Sequence, residues 1–176
     1  MKDFEYRNEG MQDKVRSSKI RIRKAERNDC ALVLQFIKGI AHYEKMEDQV
    51  EATVEQLEQQ LFDEHRAEVI FALDGDKEVG FALFFHNFST FKGHCGLYLE
   101  DLYVQPEHRG KGFGKALFLA LVRIANERQC GRMEWVCLNW NQPSIDFYRS
   151  MGAETLDEWT TFRLTDEKLL RLGSER

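Results

Sequence analysis

One stretch constrains this chain more than any other: Tyr98 to Lys115, YLEDLYVQPEHRGKGFGK. Tyr98, Leu99, Leu102, Tyr103 and Val104 are strand formers, and Pro106, with no N–H to donate, ends the ladder. Gly110, Gly112 and Gly114 then open an amphipathic helix, so the stretch reads as strand, glycine turn and helix start. Glycines let a ligand come close to the backbone, and the unpaired amides and dipole of a helix N-terminus attract negative charge. With Arg109 and Lys111 flanking the turn, the expected ligand part is a phosphate or pyrophosphate. Glu100 and Asp101 lie upstream on the strand, where they could do acid–base work beside it.

Two competing glycine motifs fail on spacing. A P-loop needs Gly-Lys-Ser/Thr, and no Ser or Thr follows Lys115 in time to hold magnesium. The dinucleotide fingerprint would put its third glycine where Lys115 stands. What remains is Arg-x-x-Gly-x-Gly. With Arg109, Gly112 and Gly114 in that frame, the chain resembles the GNAT superfamily of acetyl-CoA-dependent N-acetyltransferases.

At 176 residues and 43% hydrophobic content, the chain suits a single core, with residues 20–176 expected as one domain. Residues 1–19 are charged and aperiodic and read as a flexible arm. A net charge of −5 without any Lys/Arg run speaks against a nucleic-acid partner. No apolar run approaches the ~20 residues of a membrane span, and the N-terminus is too polar for a signal peptide, so a cytoplasmic protein is expected. Cys30, Cys95, Cys130 and Cys137 show no metal or redox spacing and read as reduced; His86, His94 and Cys95 lack a second ligand pair, so no metal is expected.

Along the chain, Ile20–Arg23 reads as an opening strand, and Asn28 or Asp29 as the cap of a helix whose Val33, Phe36, Ile37, Ile40 and Ala41 form an inward stripe. Residues Thr53–Leu61 suggest a second helix. Glu68–Leu73 and Val79–Phe85 flank the turn Asp74-Gly75-Asp76 as a hairpin, and Leu97–Val104 follows antiparallel. Phe81, Phe84, Phe85, Phe88 and Phe91 read as core. Leu117, Ala120, Leu121, Ile124 and Ala125 stripe the helix after the glycine turn, with Gly131 as its stop. Met133–Leu138 reads as a strand, Asn141 as the cap of the next helix with Pro143 in its first turn, Trp159–Leu164 as a last strand, and Asp166 as the start of a short helix. This order requires a mixed sheet.

From Ile20 to Leu170 the resemblance narrows. The runs HYEKMEDQV, YLEDLYV, RGKGFG, LNWNQPSIDFY and EWTTF look like the diamine acetyltransferase subfamily, which contains spermidine/spermine and thialysine N-acetyltransferases. The resemblance implies an α/β fold of GNAT type, with a mixed, mostly antiparallel central sheet flanked by helices on both faces, and a homodimer. It implies acetyl-CoA as co-substrate, held by Leu102 and Val104, by Arg109, Gly110, Lys111, Gly112, Phe113, Gly114 and Lys115, and by Asn141 and Ser144. Its amine-site residues fall on Tyr43, Glu44, Glu100 and Asp101, and its general acid on Tyr148.

These residue types suit the chemistry. A primary alkylamine, with a pKa of about 10.4, arrives protonated and must lose a proton before attacking a thioester. Glu100, directly or through water, is the expected base; Tyr148 can protonate the departing thiolate; the Leu102 N–H is the family's donor to the thioester oxygen. A non-catalytic acetyl-CoA-binding domain would need neither acid nor base, and a protein-lysine or N-terminal acetyltransferase would need an open groove rather than a cluster of carboxylates. Ser89-Thr90-Phe91 looks like the Ser-Thr-aromatic run of the thialysine enzyme, where the polyamine enzyme has Asp-Pro. Two hydroxyls can hydrogen-bond the α-carboxylate of an amino acid. The chain departs from that pattern at Phe91, where the family has tryptophan, and at Asn139, where the thialysine enzyme has aspartate. The expected substrate is a small cationic amine, a lysine-like amino acid before a diamine or polyamine.

Overall fold

The computed structural model describes residues 4–5 and 20–175, so the expected N-terminal arm lies, apart from two residues, outside the described residues. Among the described residues, six strands lie in sheet order as in chain order: β1 (Phe4–Glu5), β2 (Arg21–Lys24), β3 (Glu68–Asp74), β4 (Lys77–Ser89), β5 (His94–Val104) and β6 (Met133–Glu134). Every neighbouring pair is antiparallel except β5 and β6. A parallel pair needs a crossover, and α3 (Phe113–Glu127) supplies it. Gly75, at φ +65°, turns the β3–β4 hairpin as its sequence suggests.

Strand alternation divides β3 between two layers. Val69, Phe71 and Leu73 join Val33 and Phe36 of α1 (Cys30–Glu44), together with Leu61 and Phe81, in one core, and Leu57 of α2 (Val54–Glu58) packs on it. Ile70 and Ala72 are buried toward the opposite face, against which α3 packs with Leu117 and Leu121 fully enclosed. The fold is α/β, a mixed and mostly antiparallel sheet with helices on both faces. Thr53 starts α2 through a reciprocal capping box: Gln56 N–H donates to Thr53 Oγ1 at 3.2 Å, and Thr53 N–H to Gln56 Oε1 at 2.9 Å.

Several sequence expectations change. Asp29 precedes α1 but does not cap it; its carboxylate takes Arg23 at 2.6 Å and the Glu26 N–H at 2.7 Å instead. Phe81 and Phe84 are core, but Phe88 and Phe91 lie toward the tip of the β4–β5 hairpin, Phe91 98% exposed. The chain leaves α3 through a left-handed Gln129 (φ 56°), not through Gly131, whose N–H donates to the Cys95 carbonyl at 2.7 Å. A Cβ on Gly131 would meet the Lys92 Cβ at 3.1 Å, so the glycine is there for close approach. The expected strand Met133–Leu138 shortens to β6, and Trp159–Leu164 forms no ladder; Trp159 and Phe162 remain 75% and 91% exposed, apolar side chains without a strand partner.

By backbone contact the chain divides into two compact units, Met1–Val136 and Cys137–Arg176. The second carries α4 (Gln142–Ser150) and α5 (Asp166–Ser174). Buried Asn141 caps α4 by accepting the Ser144 N–H at 3.4 Å, Pro143 occupies its first turn, and Gly152 at φ +87° follows its end.

Candidate active site

The site begins with a fault in the sheet. Leu83 of β4 faces Asp101, but the next residue, Phe84, faces Leu99, so Glu100 is an extra residue in β5. A bulge of this kind bends the strand, re-aims its side chains and frees a backbone group from the ladder. Glu100 is exposed and Asp101 half-buried, and beyond them Leu102, Tyr103 and Val104 return to regular pairing.

The C-terminal turn of α1 brings Tyr43 and Glu44 to the same region. Burial pushes the Asp101 carboxyl up to about 7, and the neighbouring charges of Glu100 and Glu44 push it the same way; burial also raises Glu44. Glu44, Glu100 and Asp101, from two elements, thus form one negatively charged cluster that a cation would relieve. Gly39 lets α1 come this close: a Cβ there would stand 3.0 Å from the Tyr103 ring. The cue for this was available in the sequence, since a glycine inside a helix costs about 1 kcal/mol and needs a reason, but its partner Tyr103 was not legible.

After Pro106–His108 the glycine turn enters α3 with Gly110 at φ +73° and Gly112 at φ +92°, and Gly112 is the cap residue. With no capping side chain, the first amides of α3 are left to an outside acceptor. A Cβ at Gly110 would meet nothing within 4 Å, so the turn is open to a ligand. This arrangement fits a pyrophosphate. Phe113 is buried, edge-on to the His108 ring at 6.0 Å, and Gly114 lies against Val104, so these two anchor the turn, while Lys111 and Lys115 are exposed.

Arg109 does something that its place in the motif does not reveal. Its Nε donates to the Val104 carbonyl at 3.0 Å, and its guanidinium lies over the Tyr43 ring at 4.6 Å and the Tyr103 ring at 5.5 Å. One side chain therefore joins the glycine turn, the end of β5 and the end of α1.

The remaining sequence candidates are carried by other elements. Ser89 and Thr90 are at the β4–β5 tip; Ser89 is buried, with Oγ accepting the Lys92 N–H at 3.3 Å and its carbonyl the Gly93 N–H at 2.8 Å. Five residues separate Phe84 from Ser89, about 17 Å of strand, so within one chain the tip and the bulge do not meet. Asn141, Ser144 and half-buried Tyr148 belong to α4 in the second unit. Among the described residues, no group of three or more His, Cys, Asp or Glu could hold a metal, and no helix is long and apolar enough to cross a membrane.

Comparison with known proteins identifies the family. The model of the acetyltransferase (GNAT) family covers residues 34–153. The thialysine N-epsilon-acetyltransferase of Bos taurus is 34% identical over 89% of this chain and 98% of its own length. The spermidine/spermine N(1)-acetyltransferase-like protein 1 of Homo sapiens is also 34% identical, over 88% of this chain but 24% of its own length. Among solved structures, an integron cassette protein from V. cholerae superposes with a TM-score of 0.74 at 29% identity, covering 89% of this chain and 98% of its own. A family model matched over residues 34–153 and a relative 34% identical along most of the chain establish that the chain belongs to the GNAT family of acetyltransferases and is an acyltransferase that acetylates an amine.

Proposed function

We propose that the protein transfers the acetyl group of acetyl-CoA to the side-chain amine of thialysine or a similar lysine analogue, by direct attack within a ternary complex. The observation that carries the cationic-amine part is the Glu44, Glu100 and Asp101 cluster beside the open glycine turn. An ammonium group offsets the mutual repulsion of these carboxylates. Glu100, extra in its strand and exposed, takes the proton that makes the nitrogen nucleophilic. Asp101, its carboxyl pushed up to about 7 by burial, shares that role.

The first amides of α3, with Gly110, Gly112 and Gly114 keeping the turn open, hold the pyrophosphate of acetyl-CoA, and Asn141 and Ser144 extend the contact. Acetyl-CoA supplies the acetyl thioester. Leu102 N–H donates to its carbonyl oxygen, and Tyr148 gives its hydroxyl proton to the departing sulfur. The family match begins in the first compact unit and ends at residue 153 of the second, which supports reading residues 20–176 as a single catalytic domain.

The bovine relative supports thialysine over polyamines, matched along almost its whole length. Ser89 and Thr90 serve the amino-acid end of the substrate only if a second copy of the chain brings its hairpin tip to the bulge, which accords with a homodimer. Acetyl transfer by the purified chain to thialysine, lysine, ornithine, spermidine and a basic peptide tests the reading. Thialysine should show the highest kcat/KM. A preference for spermidine of tenfold or more, about 1.4 kcal/mol in the wrong direction, replaces it with a polyamine enzyme.

A further inference from the structure

The sequence scatters four cysteines without redox spacing, yet the fold brings two of them together away from the carboxylate cluster. Cys95, near the start of β5, and Cys130, just after α3, stand with their sulfurs 3.4 Å apart. The Cys95 thiol donates to the Arg128 carbonyl at 3.7 Å, which leaves its sulfur to accept the Cys130 S–H. The Gly131 N–H donates to the Cys95 carbonyl at 2.7 Å and holds the two backbones side by side. Both residues are half-buried, unlike Cys30, which is sealed in the core. A disulfide bond is about 2.05 Å long, so about 1.4 Å separates the pair from bonding distance, within reach of side-chain rotation.

We propose that Cys95 and Cys130 are a modification site that closes to an intramolecular disulfide on exposure to a hydroperoxide. The sulfur of Cys95 attacks the terminal peroxide oxygen, the O–O bond breaks, and Cys95 becomes a sulfenic acid as the other oxygen leaves with a proton, as water from hydrogen peroxide or as an alcohol from an organic hydroperoxide. The sulfur of Cys130 then attacks the Cys95 sulfur, the S–O bond breaks, and water leaves; two thiols have been oxidised and one peroxide reduced. The order follows from the surroundings. Cys95 accepts the Cys130 S–H, which favours negative charge on the Cys95 sulfur, while burial and that same hydrogen bond push the Cys130 thiol up, so Cys130 acts as the resolving partner. The bond would tie the start of β5 to the connection between α3 and β6.

The full chain, treated with a small excess of hydrogen peroxide and then alkylated under denaturing conditions, tests this. The free-thiol count should fall from four to two, a digest should contain the Cys95–Cys130 linked peptide, and dithiothreitol should restore all the thiols. Closure of this 34-residue intervening segment should raise the melting midpoint by about 5 °C or more. In Cys130→Ser, dimedone should trap a sulfenic acid on Cys95 and no disulfide should form. Oxygen adducts on wild-type Cys95 without a linked peptide, linkage through Cys30 or Cys137, or an unchanged thiol count would each overturn the proposal.

Discussion

Asp101 holds its proton at a pH where an ordinary aspartate has lost it, and this has a sign in stability. Between about pH 4 and 7 the unfolded chain gives up the Asp101 proton while the folded chain keeps it, so stability falls as pH rises through that window and is level above it. Asp101→Asn should flatten that slope and stabilise the free protein at pH 8 by about 2 kcal/mol, read by denaturant unfolding across pH. A slope that persists in the variant would locate the titration elsewhere. At the same scale, Arg109 works through its shape. Lysine keeps the charge but loses both the planar stack and the Nε donor, so Arg109→Lys should raise KM for both substrates and lower stability by about 1 kcal/mol. If lysine restores a wild-type KM for acetyl-CoA, the residue acts as a phosphate charge.

At the scale of elements, local signals were legible where the chain carries its own instructions. Thr53 and Gln56 start α2, Asn141 starts α4, Gly75 turns the hairpin, and Pro106 with the glycines marks the step from β5 into α3. What could not be read was set by partners distant in sequence. The bulge depends on how β5 registers against β4; Asp29 is claimed by Arg23; and the apolar run around Trp159 finds no strand to pair with. Residue types marked the carboxylates as candidates, but only the bulge explains how two adjacent strand residues come to share one charged cluster with Glu44. In the proposed reading the role of α4 rests on Tyr148. In Tyr148→Phe, kcat should fall about 100-fold while KM for both substrates stays within a few-fold, because the hydroxyl acts as the thiolate leaves. A wild-type kcat, with chemistry shown to be rate-limiting, would make the tyrosine structural.

For the whole molecule, the proposed reading puts two substrate positions a few residues apart on one strand and its exit: the bulge of β5 for the amine and the glycine turn for the cofactor. The acidic balance of the chain, −5 overall, agrees with a cationic substrate but would not by itself have located it. If the two positions are distinct, they separate in steady-state kinetics. The most direct measurement is KM and kcat/KM for both substrates in Glu100→Gln and in Gly112→Val, each first shown to be folded. Glu100→Gln should lower kcat/KM for the amine by at least tenfold, less at high pH where more amine is already neutral, and leave KM for acetyl-CoA unchanged. Gly112→Val should raise KM for acetyl-CoA by at least tenfold, since valine at φ +92° is strained and crowds the turn, and leave the amine KM near wild type. Wild-type acetyl-CoA kinetics in Gly112→Val together with unimpaired amine turnover in Glu100→Gln would contradict the account.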